Sequence, residues 1–522
     1  MMHGPGRFDD MLKRDTLKPR ALNETLARLG GYFGRFWWML LLSVFFVVAA
    51  TWSQVTSPEL IGQATDCFLV PSGSNPFGSF GPQAAASDQQ AESSCWLAKD
   101  PSELTGRQAF LSRVYHAGGY TIADPATATN EQRIEGMVRL IGILIALFVL
   151  GSVLTGMTFF SMAWTGQHVL RQLRVEVFEQ LHRLSLGYYA EHEAGDLMSR
   201  ITNDTTAIEQ AFSFALVNVF SGILSLIWIS YNMVTANLPF ALLSLAVAPI
   251  MFIATLYFSE QARKAFRKSR EEIGNVNAEL QESIAAVREA QAFNRADENI
   301  ENFKEVNAAN RDANVRAVSF TSALAPTLEA LSYVSLAIVT GVGGWYLLRG
   351  QTLFGSVVTL GLVVTFLAYV QRFNQPIQQI AVLWTNIQNA IAGAERIFGV
   401  LDEQPAVTDK LNAKEMKEIK GLVEFENVSH QYEDGVPVLQ GVSFTAEPGQ
   451  TLAIVGPTGA GKTTIINLLP RFYDVTEGAV KIDGIDVRDV TLESLRSQIG
   501  IVLQDTFLFS DTVMNNIRYG KL

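Results

Sequence analysis

The chain has 522 residues, too many for one ordinary domain and enough for about three. Hydrophobic residues make up 48% of it and charged residues only 17%, against roughly 25% charged in soluble domains; the shortage is confined to a few windows, which excludes a disordered chain and points to a bilayer. The net charge of −11 excludes nucleic acid as a partner, because phosphate contacts need clustered Lys and Arg. The cysteines, Cys67 and Cys95, are too few for a Cys-based zinc or iron–sulfur centre.

In chain order, residues 1–35 form an N-terminal segment with an elbow helix. It carries seven Lys or Arg against four acids, which places it in the cytoplasm. Six apolar windows follow within 36–400: about 36–56, 140–164, 211–231, 238–258, 324–348 and 353–372. Each approaches the ~20 residues that a helix needs to cross the hydrocarbon core. The first, "FWWMLLLSVFFVVAATWSQVT", is uncharged, with Trp37 and Trp38 at one end and Trp52 near the other, as interfacial anchors require. Buried helices of a large soluble core are the alternative, and six such windows weigh against it. The polar stretch before the first window weighs against a cleaved signal peptide.

This orientation leaves a long external loop, 67–136, whose first half is rich in Ser, Gly, Ala, Gln and Pro and is expected to be mobile. Cys67 and Cys95 lie in it, on the oxidising side, and either form a disulfide or stand as two separate thiols. The cytoplasmic loops, 165–210 and 259–323, read as charged helix with almost no Pro or Gly, so the membrane helices are expected to continue well past the bilayer. Glu329 is the acid well inside a span; it either faces a cavity and recognises a cation or sits hydrated at the inner interface after Pro326. Phe212, Phe214, Phe220, Trp228, Phe252, Tyr333, Phe366 and Tyr369 either line a pathway or face lipid and neighbouring helices.

After the sixth window come a polar helix, "IQNAIAGAERIFGVLDEQP", a Lys/Glu-rich linker over 401–420, and from 421 to 522 a pattern of short strands. There the apolar run Leu452–Val455 leads into "GPTGAGKTT" and then "TTIINLLPRF", which reads as strand, loop and helix, the context of a phosphate-binding P-loop. Gly456, Pro457, Thr458, Gly459, Ala460 and Gly461 form the loop, and the glycines let its N–H groups turn towards phosphate. Lys462 reaches the outer phosphates, the Thr463 hydroxyl is placed to ligate Mg²⁺, and Thr464 continues the helix. Tyr432, one strand upstream, can stack on a purine or serve as an ordinary packing residue. Gln504, after the strand-like run in "GIVLQDTF", can reach Mg²⁺ or an attacking water.

The whole arrangement resembles the ATP-binding-cassette exporters, specifically half-transporters of the multidrug and lipid type. The matching stretches are "SLGYYAEHEAGDLMSRITNDTTAIEQ", with Gly195, Asp196, Ser199, Arg200, Asn203 and Asp204; "QESIAAVREAQAFNRADENI"; "GAERIFGVLDE"; Tyr432; Gly456–Thr464; and Gln504. The resemblance implies a multi-domain membrane protein: a six-helix transmembrane domain, then a partial α/β P-loop nucleotide-binding domain. It implies ATP and Mg²⁺ as ligands, a second half-transporter as partner, and export of a hydrophobic or amphipathic molecule across the cell membrane. Tyr432 becomes the adenine-stacking residue, and short coupling helices are expected near Ser185–Gly195 and Ile273–Leu280, the second crossing to the partner.

The family's signature motif, Walker B pair and switch histidine have no match here; the nearest histidine, His430, precedes the P-loop. A truncated sequence is the expectation, with residues 1–522 binding ATP weakly and turning over none. The alternatives are a catalytically degenerate subunit of a heterodimer, an importer, and a membrane-anchored P-loop regulator that moves nothing. The fusion of membrane and nucleotide parts weighs against the importer, and six spans weigh against the regulator.

Overall fold

The computed structural model describes residues 22–69, 95–100, 102–104, 106–117, 128–349, 351–432, 436–504 and 507–520. The expected mobility of the early external loop falls mostly on 70–94, outside the described residues. The chain forms two compact units: one of residues 1–172 and 205–395, the other of 173–204 and 396–522.

The first unit is helical. A short amphipathic helix, α1 (Leu22–Gly34), precedes the long helix α2 (Trp37–Ala64), which ends in a π turn over Thr65–Leu69. Next come α3 (Asn130–Arg183) and a continuous helical run over Ala194–Ala236, whose last segment is α5 (Val217–Ala236); the stretch 173–204 between their membrane parts belongs to the second unit and holds the short helix α4 (Leu186–Glu191). Beyond these lie α6 (Ala248–Ala285), the short α7 (Val287–Ala292), α8 (Ala296–Arg349) and α9 (Leu360–Asp402). Five helical runs among the described residues, ending with α8, are long and apolar enough to cross a membrane. Their outward faces carry large apolar side chains, with Phe160 69% exposed, a surface that suits lipid and not water.

Two boundaries differ from the sequence reading. The sixth apolar window opens at 353, yet its helix starts at Leu360. Leu353 and Ser356 exchange backbone hydrogen bonds of 2.8 and 3.0 Å around Gly355 at φ +84°, and the Thr359 hydroxyl caps the helix by accepting from the Leu362 N–H at 3.0 Å. The tip between the long helices α6 and α8 lies at α7, whereas Ile273–Leu280, where the second short coupling helix is expected, continues inside α6. The stop after α7 is a Schellman arrangement: Asn294 sits at φ +54°, Arg295 N–H reaches the Ala290 carbonyl at 2.8 Å, and Asn294 N–H reaches Gln291 at 3.2 Å. No Pro or Gly marks it, so helical periodicity alone runs past it.

One face of α9 is knitted to α2. Pro58 inside α2 has no N–H to offer the Gln54 carbonyl four residues back. Arg372 and the Ser57 hydroxyl donate to that carbonyl instead, the latter at 3.0 Å. Tyr369 donates to the Val55 carbonyl at 3.1 Å and Thr365 to the Pro58 carbonyl at 3.3 Å, which makes a ladder at helical spacing. Above it, Asp66 accepts from the Gly361 N–H and the Thr359 hydroxyl, both at 2.7 Å. A Cβ at Gly361 would lie 2.2 Å from the Gly62 carbonyl oxygen, so only glycine lets the two backbones meet there. Nearby, Cys67 and Cys95 are joined as a disulfide, Cα to Cα 5.0 Å, within a buried cluster that includes Leu60, Leu97, Leu111 and Tyr115.

The second unit holds a four-stranded antiparallel sheet, β1 (Val423–Gln431), β2 (Pro437–Ala446), β3 (Glu477–Ile482) and β4 (Ile485–Asp486), in the order β2-β1-β3-β4. Phe425, Val428, Leu439, Val480 and Ile482 turn one face of it onto Leu468 and Leu495. The expected strand Leu452–Val455 is not formed among the described residues. It pairs with none of the four strands, and Val455 is 86% exposed; an apolar run becomes a strand only where a neighbour completes its ladder. The run before Gln504 is likewise unpaired.

Candidate functional site

The loop 456–461 leads into α10 (Lys462–Leu468), held by Leu468 in the core of the second unit. Its shape depends on glycine at two positions, Gly459 at φ +89° and Gly461 at φ +85°. A Cβ at Gly461 would also meet Leu439 Cδ2 at 2.6 Å and the Val438 carbonyl oxygen at 3.2 Å, so the loop lies directly on β2. Ala460 N–H closes a turn on the Pro457 carbonyl at 3.2 Å, and Ile465 N–H begins the helix on the Gly461 carbonyl at 3.1 Å. The Lys462 ammonium folds back over this turn and donates to the carbonyls of Gly456 and Pro457 at 2.9 and 2.8 Å. The result is a glycine-bent turn with a cation held against it at the start of a helix, a set of groups that suits an oligophosphate. Pro457, Thr458 and Thr463 are exposed; Thr464 is buried.

Tyr432 leaves the end of β1 and donates its hydroxyl to Thr464 Oγ1 at 3.0 Å. Its ring is 44% exposed and is braced edge-on by His430 and Tyr473, at 4.8 and 5.0 Å between centroids. The aromatic candidate and the phosphate loop are therefore tied together, a link between residues 32 apart that the sequence does not spell out. Gln504 is exposed in a bend, and no hydrogen bond joins it to Thr463 among the described residues. Nor do His, Cys, Asp and Glu side chains gather there into a metal-binding group among the described residues.

His430 is buried beneath Tyr432, with Nδ1 3.1 Å from the Asp474 carbonyl oxygen. Burial pushes its pKa below the ordinary 6.5, against the opposing pull of that carbonyl. The folded unit then refuses a proton that the unfolded chain accepts, so stability present above pH 6.5 is lost as pH falls through that value towards the folded pKa. His430→Asn keeps a donor for Asp474 and cannot charge. Urea midpoints at pH 7.5 and 5.5 are expected to differ less in His430→Asn than in the parent chain.

The segment 173–204 is built into this same unit. Asp204 accepts from Arg396 Nη2 at 2.6 Å and Nε at 2.9 Å. Gln180 donates to the Glu403 carbonyl at 2.7 Å, and the Ser185 hydroxyl, just before α4, accepts from Ala406 N–H at 3.3 Å. A Cβ on Gly187 would touch the Tyr473 ring at 3.5 Å, which places α4 beside the aromatic that braces Tyr432.

In the helical unit Glu329 is exposed on α8 and accepts from the Tyr333 hydroxyl at 3.0 Å. It does not line the cavity of about 520 Å³ in that unit. The eight aromatics singled out from the spans do not line it either: Phe366 and Tyr369 are core residues, Phe212 stacks on Phe33, and Phe252 and Tyr333 point outwards. Arg372, which does line it, escaped the sequence reading because it closes an apolar window.

Residues 40–376 match the family described as the ABC transporter transmembrane region, and residues 439–520 match the ABC transporter domain. Among curated relatives, a fatty acid ABC transporter ATP-binding/permease protein of Mycobacterium bovis is 32% identical over 81% of this chain and 66% of its own length. An ATP-dependent lipid A-core flippase of Syntrophus aciditrophicus is 34% identical over 69% of this chain and 59% of its own. The chain thus spans somewhat less than two thirds of the length of these relatives. The structure is similar to that of a bacterial Atm1-family ABC exporter with ATP bound, with a TM-score of 0.56 and 25% identity over 76% of this chain and 68% of that one. With a P-loop of this geometry behind a membrane region of this kind, the chain belongs to the ABC transporters, its transmembrane and ATP-binding parts fused in one polypeptide.

Proposed function

We propose that this chain is one half of an ATP-driven exporter that moves a hydrophobic or amphipathic molecule across the cell membrane, with residues 1–35 and the nucleotide-binding unit on the cytoplasmic side. The observation that carries the reading is the embedding of 173–204 in the nucleotide-binding unit through Asp204–Arg396, Gln180–Glu403 and Ser185–Ala406. That segment continues α3, so a change at the phosphate loop is felt at the end of a membrane helix. Lys462 and the loop N–H groups hold the phosphates, Tyr432 stacks on the base, and Thr463 with Gln504 holds Mg²⁺. When bound, the nucleotide supplies phosphoanhydride hydrolysis as the energy source. Closure of two such units is favoured only as far as the closed pair holds nucleotide more tightly than the open one.

A second half-transporter is the proposed partner. Ile284, Val287 and Phe293 at the α7 tip are exposed apolar residues at the end of a long helical pair, a surface suited to a protein neighbour. The names of the fatty acid transporter and the lipid A-core flippase agree with an amphipathic substrate. The full-length gene product in proteoliposomes, loaded with ATP, is expected to move a fluorescent amphiphile and to lose that transport in Lys462→Ala. ATP-independent movement would refute the reading. Purified residues 1–522 are expected to bind ATP without Mg-dependent turnover, because the family's Walker B pair has no match in this sequence. Phosphate release above that of a Lys462→Ala control would contradict this. The second reading, a subunit that binds but does not hydrolyse in a heterodimer, predicts copurification with a different half-transporter.

A further inference from the structure

In the helical unit, a cavity of about 520 Å³ lies between α2, α3, α5 and α9, within the range of small-molecule sites. Val47, Phe159 and Val217 give it an apolar wall; Gln54, Asn218 and Gln375 give it neutral polar groups. Among the described residues, Arg372 is the one lining residue with a formal charge, and no acid lines the cavity. It is half-buried on α9, where the apolar window ends. A partly desolvated charge against apolar surface is costly and calls for a partner.

The protein supplies only neutral partners among the described residues. Arg372 donates to the Gln54 carbonyl freed by Pro58 and, at 3.0 Å, to the Ser57 hydroxyl. Those bonds explain a donor at 372 but not a charge, since a glutamine amide could serve the same carbonyl. The acid on the adjoining stretch of α2, Glu59, is already paired with Arg107 and Gln108. A guanidinium has five N–H donors in a planar fork matched to carboxylate and phosphate oxygens, and the fork lies on a cavity that Val47, Phe159 and Val217 also line.

We propose that this cavity binds the anionic headgroup of an amphiphile, a carboxylate or phosphate on an acyl chain, with Arg372 as its counter-ion and Asn218 and Gln375 as neutral donors. The proposal rests on the exporter reading and narrows its substrate class. It also moves recognition from a cation at Glu329 to an anion at Arg372.

The test uses residues 1–522 in phosphatidylcholine nanodiscs, with radiolabelled oleate, dioleoyl phosphatidic acid, oleyl alcohol and inorganic phosphate as probes. Oleate and phosphatidic acid are expected to bind at least about tenfold more tightly than oleyl alcohol, the scale of one charge-assisted contact. Arg372→Gln, which keeps a donor for Gln54, is expected to erase that preference with an unchanged melting midpoint, while Arg372→Lys keeps part of it. Glu329→Gln is expected to change nothing. Equal binding of oleate and oleyl alcohol by the parent chain overturns the proposal, whether or not the variant folds. So does full competition by inorganic phosphate, which would make the site one for a free anion. ATP binding is read in the same sample: lost oleate preference with intact Lys462-dependent ATP binding sinks this proposal alone, whereas absent ATP binding sinks the exporter reading.

Discussion

Gly461→Val abolishes nucleotide binding by the purified chain, read as loss of saturable binding of a fluorescent ATP analogue. Residue 461 sits at φ +85°, where a β-branched side chain is strained by about 1–3 kcal/mol before any contact is counted. Its Cβ would lie 2.6 Å from Leu439 Cδ2, and Leu439 is a buried member of the sheet core that cannot swing aside. The loop must lift off β2, and the N–H groups at the start of α10 then no longer converge on one point. Lys462→Ala is the gentler companion. It removes one charge-assisted contact worth about 1.5–3 kcal/mol, or roughly 10- to 100-fold in affinity, and leaves the backbone as it was. Gly456→Ala should be tolerated, since its Cβ would meet only the Ala460 methyl at 3.1 Å. Unfolding is separated from site loss by comparing urea midpoints. Lys462→Ala with a parental midpoint and parental affinity would remove the phosphate role assigned to this loop.

The loop was legible in the sequence because its conformation constrains the residues that can form it. Only glycine tolerates the geometry at 459 and 461, so chemistry and conformation leave the same mark. The spans were legible for a similar reason, as a bilayer imposes length and apolarity together. Their ends were less so. Val357 and Val358 extend the apolar run of the sixth window without belonging to its helix, and the cap at Thr359 is a single hydroxyl. Strand periodicity located β1 and β2, which have neighbours, and misplaced Leu452–Val455, which has none among the described residues; pairing is not written in a local pattern. The links that bind distant segments were hidden altogether. Arg372 meets Gln54 across 318 positions, Ser185 meets Ala406 across 221, and Tyr432 meets Thr464 across 32. Composition and spacing carry no trace of such partners.

Asp204→Ala is expected to lower the stability of the nucleotide-binding unit and to free residues 173–204 from it. Asp204 is 7% exposed and takes two hydrogen bonds from one guanidinium, the bidentate form of an Arg–carboxylate pair. Breaking a fully buried pair costs about 3–5 kcal/mol, because the remaining charge is left uncompensated. Here the Arg396 side chain is 44% exposed, so water can reach it and the cost should fall to about 2 kcal/mol. Asp204→Asn keeps the shape and one acceptor and should lose about half as much. Arg396→Leu leaves the more buried partner, the Asp204 carboxylate, uncompensated and should cost at least as much as Asp204→Ala, and the double variant should cost less than the sum of the singles, since one pair is being removed twice. Limited proteolysis adds a second readout. Arg183 and Arg200 flank α4, and cleavage by trypsin near them should speed up in Asp204→Ala and not in a control such as Lys481→Ala, whose partner Glu426 lies on the sheet. Additive single and double variants would mean that the pair holds nothing together. The loop would then be fixed to the unit by the Gln180 and Ser185 contacts and the packing of α4. A buried carboxylate answered by two N–H donors of one guanidinium fixes residue 204 to residue 396 across 192 positions of chain, and the geometry of such a pair tolerates little displacement.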